Sequence, residues 1–371
     1  MRIGVLREVK ADEYRVAATP AGVRELVSRG HDVLVEAEAG AGCGIGDTDY
    51  VAAGARMVAD AREVWAGGEL ILKVKEPVPE EFGQMRQGQV LVTFLHLAVD
   101  AALTRARCER GVTAVAYETV QSDDGSLPLL TPMSEVAGRL AAQAGAHHLM
   151  RPAGGRGVLM GGVPGAVPAQ VVVIGAGVVG RNAAAIALGM RADVTVLSRG
   201  AAGLRRVDDL FGGRCRTIAA NAEELERAVI GADLVIGAAL VPGARAPRLV
   251  SDATVARMRP GSVLVDVSID QGGCFEGSRP TTHSEPTFLV HDSLFYCVAN
   301  MPGAVPRTST YALANVTLPY AVALAERGWR DAMRADPALA GGLNVAGGEV
   351  VSRPVALAHG MRAGSLDDAL A

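Results

Sequence analysis

The sequence has 371 residues, of which 49% are hydrophobic and 20% charged, with a formal net charge of −4 at pH 7. This length predicts two domains, since a domain usually holds about 100 to 200 residues, and this composition excludes a disordered chain. A slightly acidic chain also lacks the basic surface that nucleic-acid binding requires, so we expect no nucleic-acid partner.

The cysteines, the longest uncharged stretch and the first residues all bear on location. The five cysteines form no C-x-x-C pair, which fits neither a disulfide framework nor a zinc ribbon. Residues 158–180 carry no charge but contain Pro164 and Pro168, which indicates a loop and a buried strand and not a membrane helix. Arg7 and Lys10 stand where a signal peptide needs an apolar core. We therefore expect a cytoplasmic protein that binds no membrane.

The first third of the chain alternates short apolar runs with amphipathic stretches, which is typical of βα units in a parallel sheet. Residues 3–6 predict the first strand. Thr19 as an N-cap, Pro20 in the first turn and Gly30 at the end then predict a helix. Further strands are predicted at 32–35, 70–74, 90–95 and 113–116.

A long Ala-rich helix is predicted from Ser134 to about Met150, and a second βα series follows it. From about Tyr311 the pattern becomes helical again, and we expect this tail to pack onto the first domain. The predicted fold class is α/β, with two doubly wound parallel-sheet, Rossmann-like domains and a cleft between them. The strands of the second series are predicted at 170–174, 193–197, 233–236 and 262–267, with a helix at 222–230.

A glycine-rich turn follows the strand predicted at 170–174. Gly175, Gly177 and Gly180 form a G-x-G-x-x-G motif, and a helix-compatible segment, 181–190, follows at once. Gly175 permits the turn, Gly177 lets phosphates approach the backbone, and Gly180 lets helix and strand pack closely. The order of strand, glycines and helix predicts a dinucleotide whose pyrophosphate lies at the helix N-terminus. A glycine turn that binds no nucleotide is the alternative.

The residue at the end of the next strand bears on the choice of cofactor. An Asp or Glu there binds the adenosine ribose 2′-hydroxyl of NAD, but this chain has Ser198 followed by Arg199. Serine removes the carboxylate that would repel a 2′-phosphate, and Arg199 can pair with that phosphate. The pattern slightly favours NADP(H) over NAD(H). In the alternative interpretation Arg199 is solvated and NAD(H) still binds.

Four residues follow predicted strands at the sheet edge where open α/β sheets bind ligands. Arg15 can hold a carboxylate bidentately, and Lys75 can bind a carboxylate or carbonyl oxygen. His96 can act as a general acid or base near neutral pH, and Asp270 can orient an amine or a water. With a nicotinamide cofactor, this set fits oxidation of a 2-amino or 2-hydroxy acid. The simpler alternatives are ion pairs of Arg15 with Glu13 or Asp12 and of Lys75 with Glu76, and a hydrogen-bonded core position for His96.

The histidines predict no metal site. His147 and His148 are consecutive on a predicted helix and therefore face different directions. His283, His291 and Asp292 share one polar stretch, but their spacing matches no metal motif.

At these residues the sequence closely resembles the bacterial alanine dehydrogenase family, which shares its fold with the nucleotide-binding alpha subunit of proton-translocating transhydrogenase. The resemblance covers essentially the whole chain and includes long, specific segments. The matching segments are 15–20 (RVAATP), 73–77 (KVKEP), 131–139 (TPMSEVAGR), 154–165 (GGRGVLMGGVPG), 266–282 and 295–302 (FYCVANMP).

The resemblance implies a reversible reaction in which L-alanine, water and oxidised cofactor give pyruvate, ammonium and reduced cofactor. It implies that Arg15 and Lys75 bind the substrate, that His96 is the acid/base, and that Asp270 completes the amine or water site. It also implies a homo-hexamer. With the glycine motif, the expected cofactor-binding residues are Ser134, Gly175, Gly177, Val178, Val179, Gly180, Ser198, Arg199, Ala238, Ala239, Leu240, Ile269, Asp270, Val298, Asn300 and Met301.

The expected domains are a substrate domain, 1–130 with 306–371, and a dinucleotide-binding domain, 131–305, with hinges near residues 130 and 305. The chain departs from the family at Ser198, where the family usually has Asp, at Leu6, where it commonly has Pro, and at Ala239, which replaces a bulkier aliphatic residue. The departure at Ser198 means that the family's NAD preference does not carry over.

Three rival functions remain beside an alanine dehydrogenase. A transhydrogenase alpha subunit would bind a dinucleotide without an amino-acid site and would need membrane partners. A nucleotide sensor would bind the cofactor without turnover, and a related enzyme would act on another 2-amino acid. The presence of all four chemical residues favours the alanine dehydrogenase.

Overall fold

A computed structural model describes residues 1–239 and 246–371. The chain forms two compact units, unit 1 (Met1–Met133 and Val305–Ala371) and unit 2 (Ser134–Ala304). The strands in the described residues are β1 (Arg2–Val5), β2 (Asp32–Glu36), β3 (Arg56–Val58), β4 (Leu70–Leu72), β5 (Val90–Thr93), β6 (Thr113–Ala116), β7 (Gln170–Ile174), β8 (Asp193–Ser198), β9 (Arg216–Ala219), β10 (Leu234–Gly237), β11 (Val263–Asp266), β12 (Thr287–Val290), β13 (Ser293–Tyr296), β14 (Leu343–Ala346) and β15 (Glu349–Val350).

The helices begin and end near the predicted positions, with several starting a few residues earlier. The predicted long helix starts at Thr131 and the helix after the glycine turn at Val178. The helices are α1 (Pro20–Ser28), α2 (Asp47–Ala52), α3 (Ala61–Gly67), α4 (Pro79–Phe82), α5 (Ala101–Arg110), α6 (Thr131–His148), α7 (Val178–Gly189), α8 (Ala201–Phe211), α9 (Ala222–Gly231), α10 (Asp252–Val255), α11 (Pro306–Ala335), α12 (Pro337–Gly341), α13 (Arg353–Ala358) and α14 (Leu366–Leu370).

Unit 1 is built on a sheet of order β15-β14-β6-β5-β4-β1-β2-β3. The strands from β6 to β3 are parallel, and β14 and β15 are antiparallel additions at one edge. Strands β2 and β3 lie on one side of β1, whereas β4 to β6 lie on the other. The direction of chain winding therefore reverses between β1 and β4, which is the position where doubly wound sheets bind ligands.

The sequence pattern predicted a helical tail, but the tail is only partly helical. After α11 and α12 it adds the hairpin β14–β15 to the sheet of unit 1. Gly347 and Gly348 connect the two strands with positive φ angles of 59° and 85°, a geometry that favours a two-residue hairpin. The strands are short, so their alternation is too weak to stand out beside the preceding helix.

Unit 2 is built on a sheet of order β12-β13-β11-β10-β7-β8-β9, parallel except for β12. Its central strands are apolar on both faces, since helices cover both sides of the sheet. The winding reverses between β7 and β10, and the glycine turn follows β7. The predicted fold class of two α/β, Rossmann-like domains is therefore confirmed.

Helix α1 begins as its sequence predicts. The Thr19 hydroxyl accepts a hydrogen bond from the Gly22 N–H at 3.3 Å, and Pro20 occupies the first helical position. We expect Thr19→Ala to lower the free energy of unfolding by about 1 kcal/mol, because a buried N-cap loses its acceptor. Urea unfolding measures this change. Thr19→Ser keeps the hydroxyl and should lose less than half as much, and an equal loss would contradict a capping role.

Candidate active site

Three predicted site residues lie in neighbouring loops of unit 1. Arg15 follows β1, Lys75 follows β4 and His96 follows β5, and these three strands are adjacent in the sheet. Parallel strands end at the same sheet edge, so the three loops lie side by side at the winding reversal of unit 1.

A buried cluster of charges holds the loop that carries Lys75. The Nζ of Lys73 lies 3.3 Å from Glu8 Oε2 and 3.1 Å from Glu81 Oε1. Burial by itself would lower the pKa of Lys73, but the two carboxylates raise it overall. Glu8 also accepts the Val74 N–H at 2.6 Å, so the loops after β1 and β4 are joined by ionic and hydrogen-bond contacts.

Two predicted strands end early, and carboxylates accept backbone N–H groups a short way beyond their ends. The strands predicted at 70–74 and 90–95 stop at Leu72 and Thr93. Beyond β4, the Val74 N–H donates to Glu8. Beyond β5, the Glu118 carboxylate accepts hydrogen bonds from the N–H groups of Leu95 and His96. The N–H groups of Lys73 and Phe94, directly after the strands, still donate to the carbonyl oxygens of Val92 and Val74, and the carboxylates become the acceptors only from the next residue on.

Arg15 forms a buried ion pair with Glu13. Its Nε donates to Glu13 Oε1 at 2.6 Å, its Nη2 to Glu13 Oε2 at 2.5 Å, and its Nη1 to the Met133 sulfur at 3.0 Å. The pairing was one of the simpler interpretations, but it occurs in the interior, since the Arg15 side chain is 2% exposed. Glu13 fixes the plane of the guanidinium at the carboxyl end of β1.

Lys75 is buried, and its ammonium has no hydrogen-bond or ion-pair partner among the residues that the structure describes. Its neighbour Glu76 pairs with Lys10 instead. Burial would raise the pKa of Glu76, but Lys75, His96 and Lys10 together lower it. The Glu76 carboxylate is therefore ionised, and it lies in the field of two predicted site residues.

His96 is half-buried at the start of the 3₁₀ turn Leu97–Val99. Its ring lies parallel to that of Phe94, with the centroids 6.1 Å apart, and Phe94 meets Tyr117 edge to face at 5.2 Å. Its backbone N–H donates to Glu118 Oε1 at 2.6 Å. His96 is therefore at the surface of the site and not a core histidine.

The glycine turn of unit 2 has the geometry of a phosphate cradle. Gly175 has a φ of +120°, and a Cβ on Gly180 would lie 1.8 Å from the Gly175 carbonyl oxygen. Gly177 is exposed, caps α7 without a side-chain contact, and has open space at its Cβ position. The first N–H groups of α7, including those of half-buried Val178 and Val179, suit a pyrophosphate. These residues fit a dinucleotide.

Helix α6 crosses the start of α7 at very short range. A Cβ on Gly138 would lie 2.3 Å from the Val179 carbonyl oxygen, and Arg139 donates to the Asn182 side chain at 2.9 Å. Ser134 lies one turn before Gly138 on α6 and is half-buried. The crossing therefore brings Ser134 to the region of the glycine turn.

Ser198 is the last residue of β8 and is half-buried, whereas Arg199 is exposed. Gly200 then caps α8 without a side-chain contact. The hydroxyl of Ser198 faces the first turn of α8, where it lies 3.8 Å from the Cβ position of Gly203. A hydroxyl, an arginine and a helix N-terminus therefore come together beyond β8, and no carboxylate precedes them on that strand end.

Asp270 is exposed on the 3₁₀ turn Ile269–Gln271, which follows β11. Asp266 holds this loop from inside. Its carboxylate accepts hydrogen bonds from the N–H groups of Ser268 at 3.0 Å and Cys274 at 2.9 Å. The Phe275 N–H and the Ser278 hydroxyl donate to the same carboxylate. The side chain of Ile269 points into the core of unit 2.

The segment after β13 combines buried side chains with an unusual backbone. Val298 and Met301 belong to the core of unit 2, and Asn300 has a positive φ of 63°. The His283 ring lies 3.2 Å from the Asn300 carbonyl oxygen, so His283 supports this turn. The side chains of Val298 and Met301 are therefore buried in the core of unit 2.

Ala238 and Ala239 follow β10 at the winding reversal of unit 2. The Ala239 carbonyl oxygen accepts a hydrogen bond from the Ser268 hydroxyl at 2.7 Å, and this bond joins the segment to the loop of Asp270. Leu240, the remaining predicted cofactor residue of this segment, lies outside the described residues.

The sequence pattern did not single out Glu8, Glu118 and Asp266, three carboxylates that hold these loops, and it indicated Glu13 only as an alternative ion-pair partner of Arg15. Each lies just beyond or at the end of a strand, which was the criterion used for the four chemical residues. Among the described residues, the structure places no three His, Cys, Asp or Glu side chains together as metal ligands. It also has no helix, within the ranges described, that is long and apolar enough to cross a membrane.

Comparison with known proteins gives consistent matches over the whole chain. The N-terminal domain of the alanine dehydrogenase/PNT family matches residues 4–137, and its C-terminal domain matches residues 141–353. An alanine dehydrogenase of Mycobacterium tuberculosis is 62% identical over 96% of this chain and 96% of its own. A solved L-alanine dehydrogenase is 50% identical, with a TM-score of 0.93 over 97% of this chain and 99% of its own. A solved transhydrogenase from Sinorhizobium meliloti is 27% identical, with a TM-score of 0.80 over 95% of this chain and 99% of its own.

Fold, glycine turn and relatives together define a dehydrogenase that uses a nicotinamide dinucleotide. The chain belongs to the alanine dehydrogenase/PNT family. The resemblance inferred from the sequence is therefore confirmed.

Proposed function

We propose that this chain is an L-alanine dehydrogenase, which converts L-alanine, water and oxidised cofactor reversibly to pyruvate, ammonium, reduced cofactor and a proton. The observation that carries this proposal is the set of Arg15, Lys75 and His96 in adjacent loops at the winding reversal of unit 1. A transhydrogenase subunit has no need of an amino-acid site, and the much higher identity to alanine dehydrogenase also favours the enzyme.

The proposed mechanism divides the work among four side chains. Arg15, with its plane fixed by Glu13, and Lys75 bind the carboxylate and carbonyl oxygens of the substrate. His96 removes a proton from the attacking water and returns it in the reverse direction, and Asp270 orients the amine or water. A nicotinamide cofactor, when bound, would supply the acceptor for the hydride that leaves C2 of the amino acid. Unit 1 is the substrate domain and unit 2 the dinucleotide domain.

A steady-state assay tests the activity. Reductive amination of pyruvate with ammonium should consume reduced cofactor, followed by absorbance, and oxidation of L-alanine should form it. Other 2-oxo acids serve as comparison substrates. Absence of turnover with pyruvate would contradict the proposal, and turnover with another 2-oxo acid alone would move the function to that acid.

We also propose that the cofactor site favours NADP(H) slightly over NAD(H). The support is the hydroxyl of Ser198, the adjacent Arg199 and the start of α8, with no carboxylate at the end of β8. Three further proposals remain. A homo-hexamer rests on the family resemblance, a cytoplasmic location rests on the cysteine pattern, and hinges are proposed where the chain passes from one unit to the other, near residues 130 and 305. Sedimentation analysis tests the hexamer.

The variant Ser198→Asp should reverse this cofactor preference. A carboxylate at the end of β8 repels a 2′-phosphate and binds a ribose 2′-hydroxyl, so the ratio of kcat/KM for NADPH over NADH should fall at least about tenfold. Ser198→Ala is the matched control and should change the ratio much less. A wild-type enzyme that strongly prefers NADH would contradict the proposed preference while leaving the activity intact.

A further inference from the structure

The backbone of His96 is in a conformation that needs support. Its φ of 48° and ψ of 34° place it in the left-handed region. For a residue other than glycine this conformation costs about 1 to 2 kcal/mol and persists where the surroundings enforce it. The conformation turns the chain sharply out of β5 and into the 3₁₀ turn Leu97–Val99.

The carboxylate of Glu118 enforces this turn. Its Oε1 accepts the His96 N–H at 2.6 Å and the Leu95 N–H at 3.1 Å, and its Oε2 accepts the Leu95 N–H at 3.2 Å. Two successive backbone amides that converge on one anion form a concave anion-binding arrangement. Glu118 lies in the 3₁₀ turn Tyr117–Thr119 directly after β6, which is the neighbour of β5.

The chain beyond His96 is also anchored. The Leu97 carbonyl oxygen accepts the Thr104 hydroxyl at 3.2 Å and lies 2.6 Å from His359 Nε2. The backbone on both sides of His96 is therefore held, from β6 on one side and from α5 and the end of α13 on the other. The imidazole itself lies parallel to the Phe94 ring.

A buried cation lies near Glu118. Arg107 on α5 is fully buried, and burial lowers its pKa to about 9 while Glu76, Glu81, Glu118 and Asp100 oppose that shift. The Arg107 guanidinium and the Glu118 carboxylate therefore attract each other electrostatically.

We propose that Glu118 is a positioning residue for His96, whose carboxylate holds the left-handed backbone and so presents the imidazole to the substrate. The proposal rests on the acid/base role of His96 in the proposed function. Glu118 acts only through the backbone and does not itself exchange protons with the substrate.

Kinetics of two variants test the proposal. Glu118→Ala removes both acceptors, so kcat should fall at least about tenfold, because small misplacements of a catalytic group are costly. The KM for the cofactor should stay within about twofold, since the dinucleotide residues lie in unit 2. Glu118→Gln keeps an amide oxygen that can accept both N–H groups, and should recover most of the lost kcat. Asp60→Ala removes a carboxylate that accepts the Arg62 N–H elsewhere in unit 1, and should leave kcat unchanged.

A second measurement does not depend on turnover. Carbethoxylation of His96 by diethyl pyrocarbonate, followed by peptide mass spectrometry, should be at least about threefold faster in Glu118→Ala, because local opening of the loop exposes the ring. The His147 peptide serves as the internal control. If Glu118→Ala does not fold, Glu118→Asp, whose carboxylate is withdrawn by one methylene, replaces it.

The two experiments separate the proposals. A wild-type protein without L-alanine turnover would contradict the proposed function, and carbethoxylation would still decide the role of Glu118. Wild-type kcat and an unchanged His96 carbethoxylation rate in Glu118→Ala would overturn the positioning role while leaving the proposed function intact. Equal losses of kcat in the Ala and Gln variants would also overturn it.

Discussion

Replacing His96 by alanine should lower kcat by at least about a hundredfold while cofactor binding stays at the wild-type level. Among the four predicted chemical residues, His96 has the side-chain type that most often serves as a general acid or base, and its ring is half-buried beside Phe94. The predicted dinucleotide-binding residues all lie in unit 2. A loss of this size corresponds to about 2.7 kcal/mol of transition-state stabilisation.

Two measurements separate the chemical role of His96 from a structural one. Steady-state kinetics with L-alanine and pyruvate give kcat, and fluorescence titration with reduced cofactor gives the dissociation constant. His147→Ala removes an exposed histidine from α6 and is the matched control, expected to retain wild-type kcat. Near-normal turnover in His96→Ala would remove His96 from the acid/base role.

Gly180→Ala should lower the stability of unit 2 by at least about 2 kcal/mol and weaken dinucleotide binding at least about tenfold. Its Cβ would lie 1.8 Å from the Gly175 carbonyl oxygen and 3.3 Å from Val173 Cγ1. The obstacle is backbone, so no side-chain rotation can relieve it. Helix α7 would have to move away from β7, and the N–H groups that suit the pyrophosphate would move with it.

Gly189→Ala is the control for this prediction. Gly189 is exposed at the other end of α7, and its Cβ position has no atom within 4 Å. Alanine there should leave binding unchanged and stabilise the protein slightly, because it lowers the backbone entropy of the unfolded chain. Thermal unfolding and cofactor titration compare the two variants. Wild-type binding in Gly180→Ala would show that the close packing of α7 on β7 is not required.

Local signals explain the success of the sequence predictions. The strands 113–116 and 170–174 and the N-cap Thr19 were predicted at the observed residues. Their signals are short-range: an apolar run between polar turns, or a threonine before a proline. The family resemblance needed only long matching segments, and it was confirmed over the whole chain.

The tail shows where local signals fail. The strands β14 and β15 were not predicted, because four and two residues hold too little alternation to identify a strand beside the 30-residue α11. They form because the edge of β6 offers unpaired backbone groups in the folded unit.

The sequence by itself determined the fold class, the dinucleotide turn and the list of candidate residues, because periodicity, glycine spacing and position after a strand are all properties of neighbouring residues. The tertiary structure decided how those residues are held. Arg15 pairs with buried Glu13, and His96 is kept in a left-handed turn by Glu118, which is 22 residues away. Such contacts depend on which strands become neighbours, and that order is set by packing of the whole sheet.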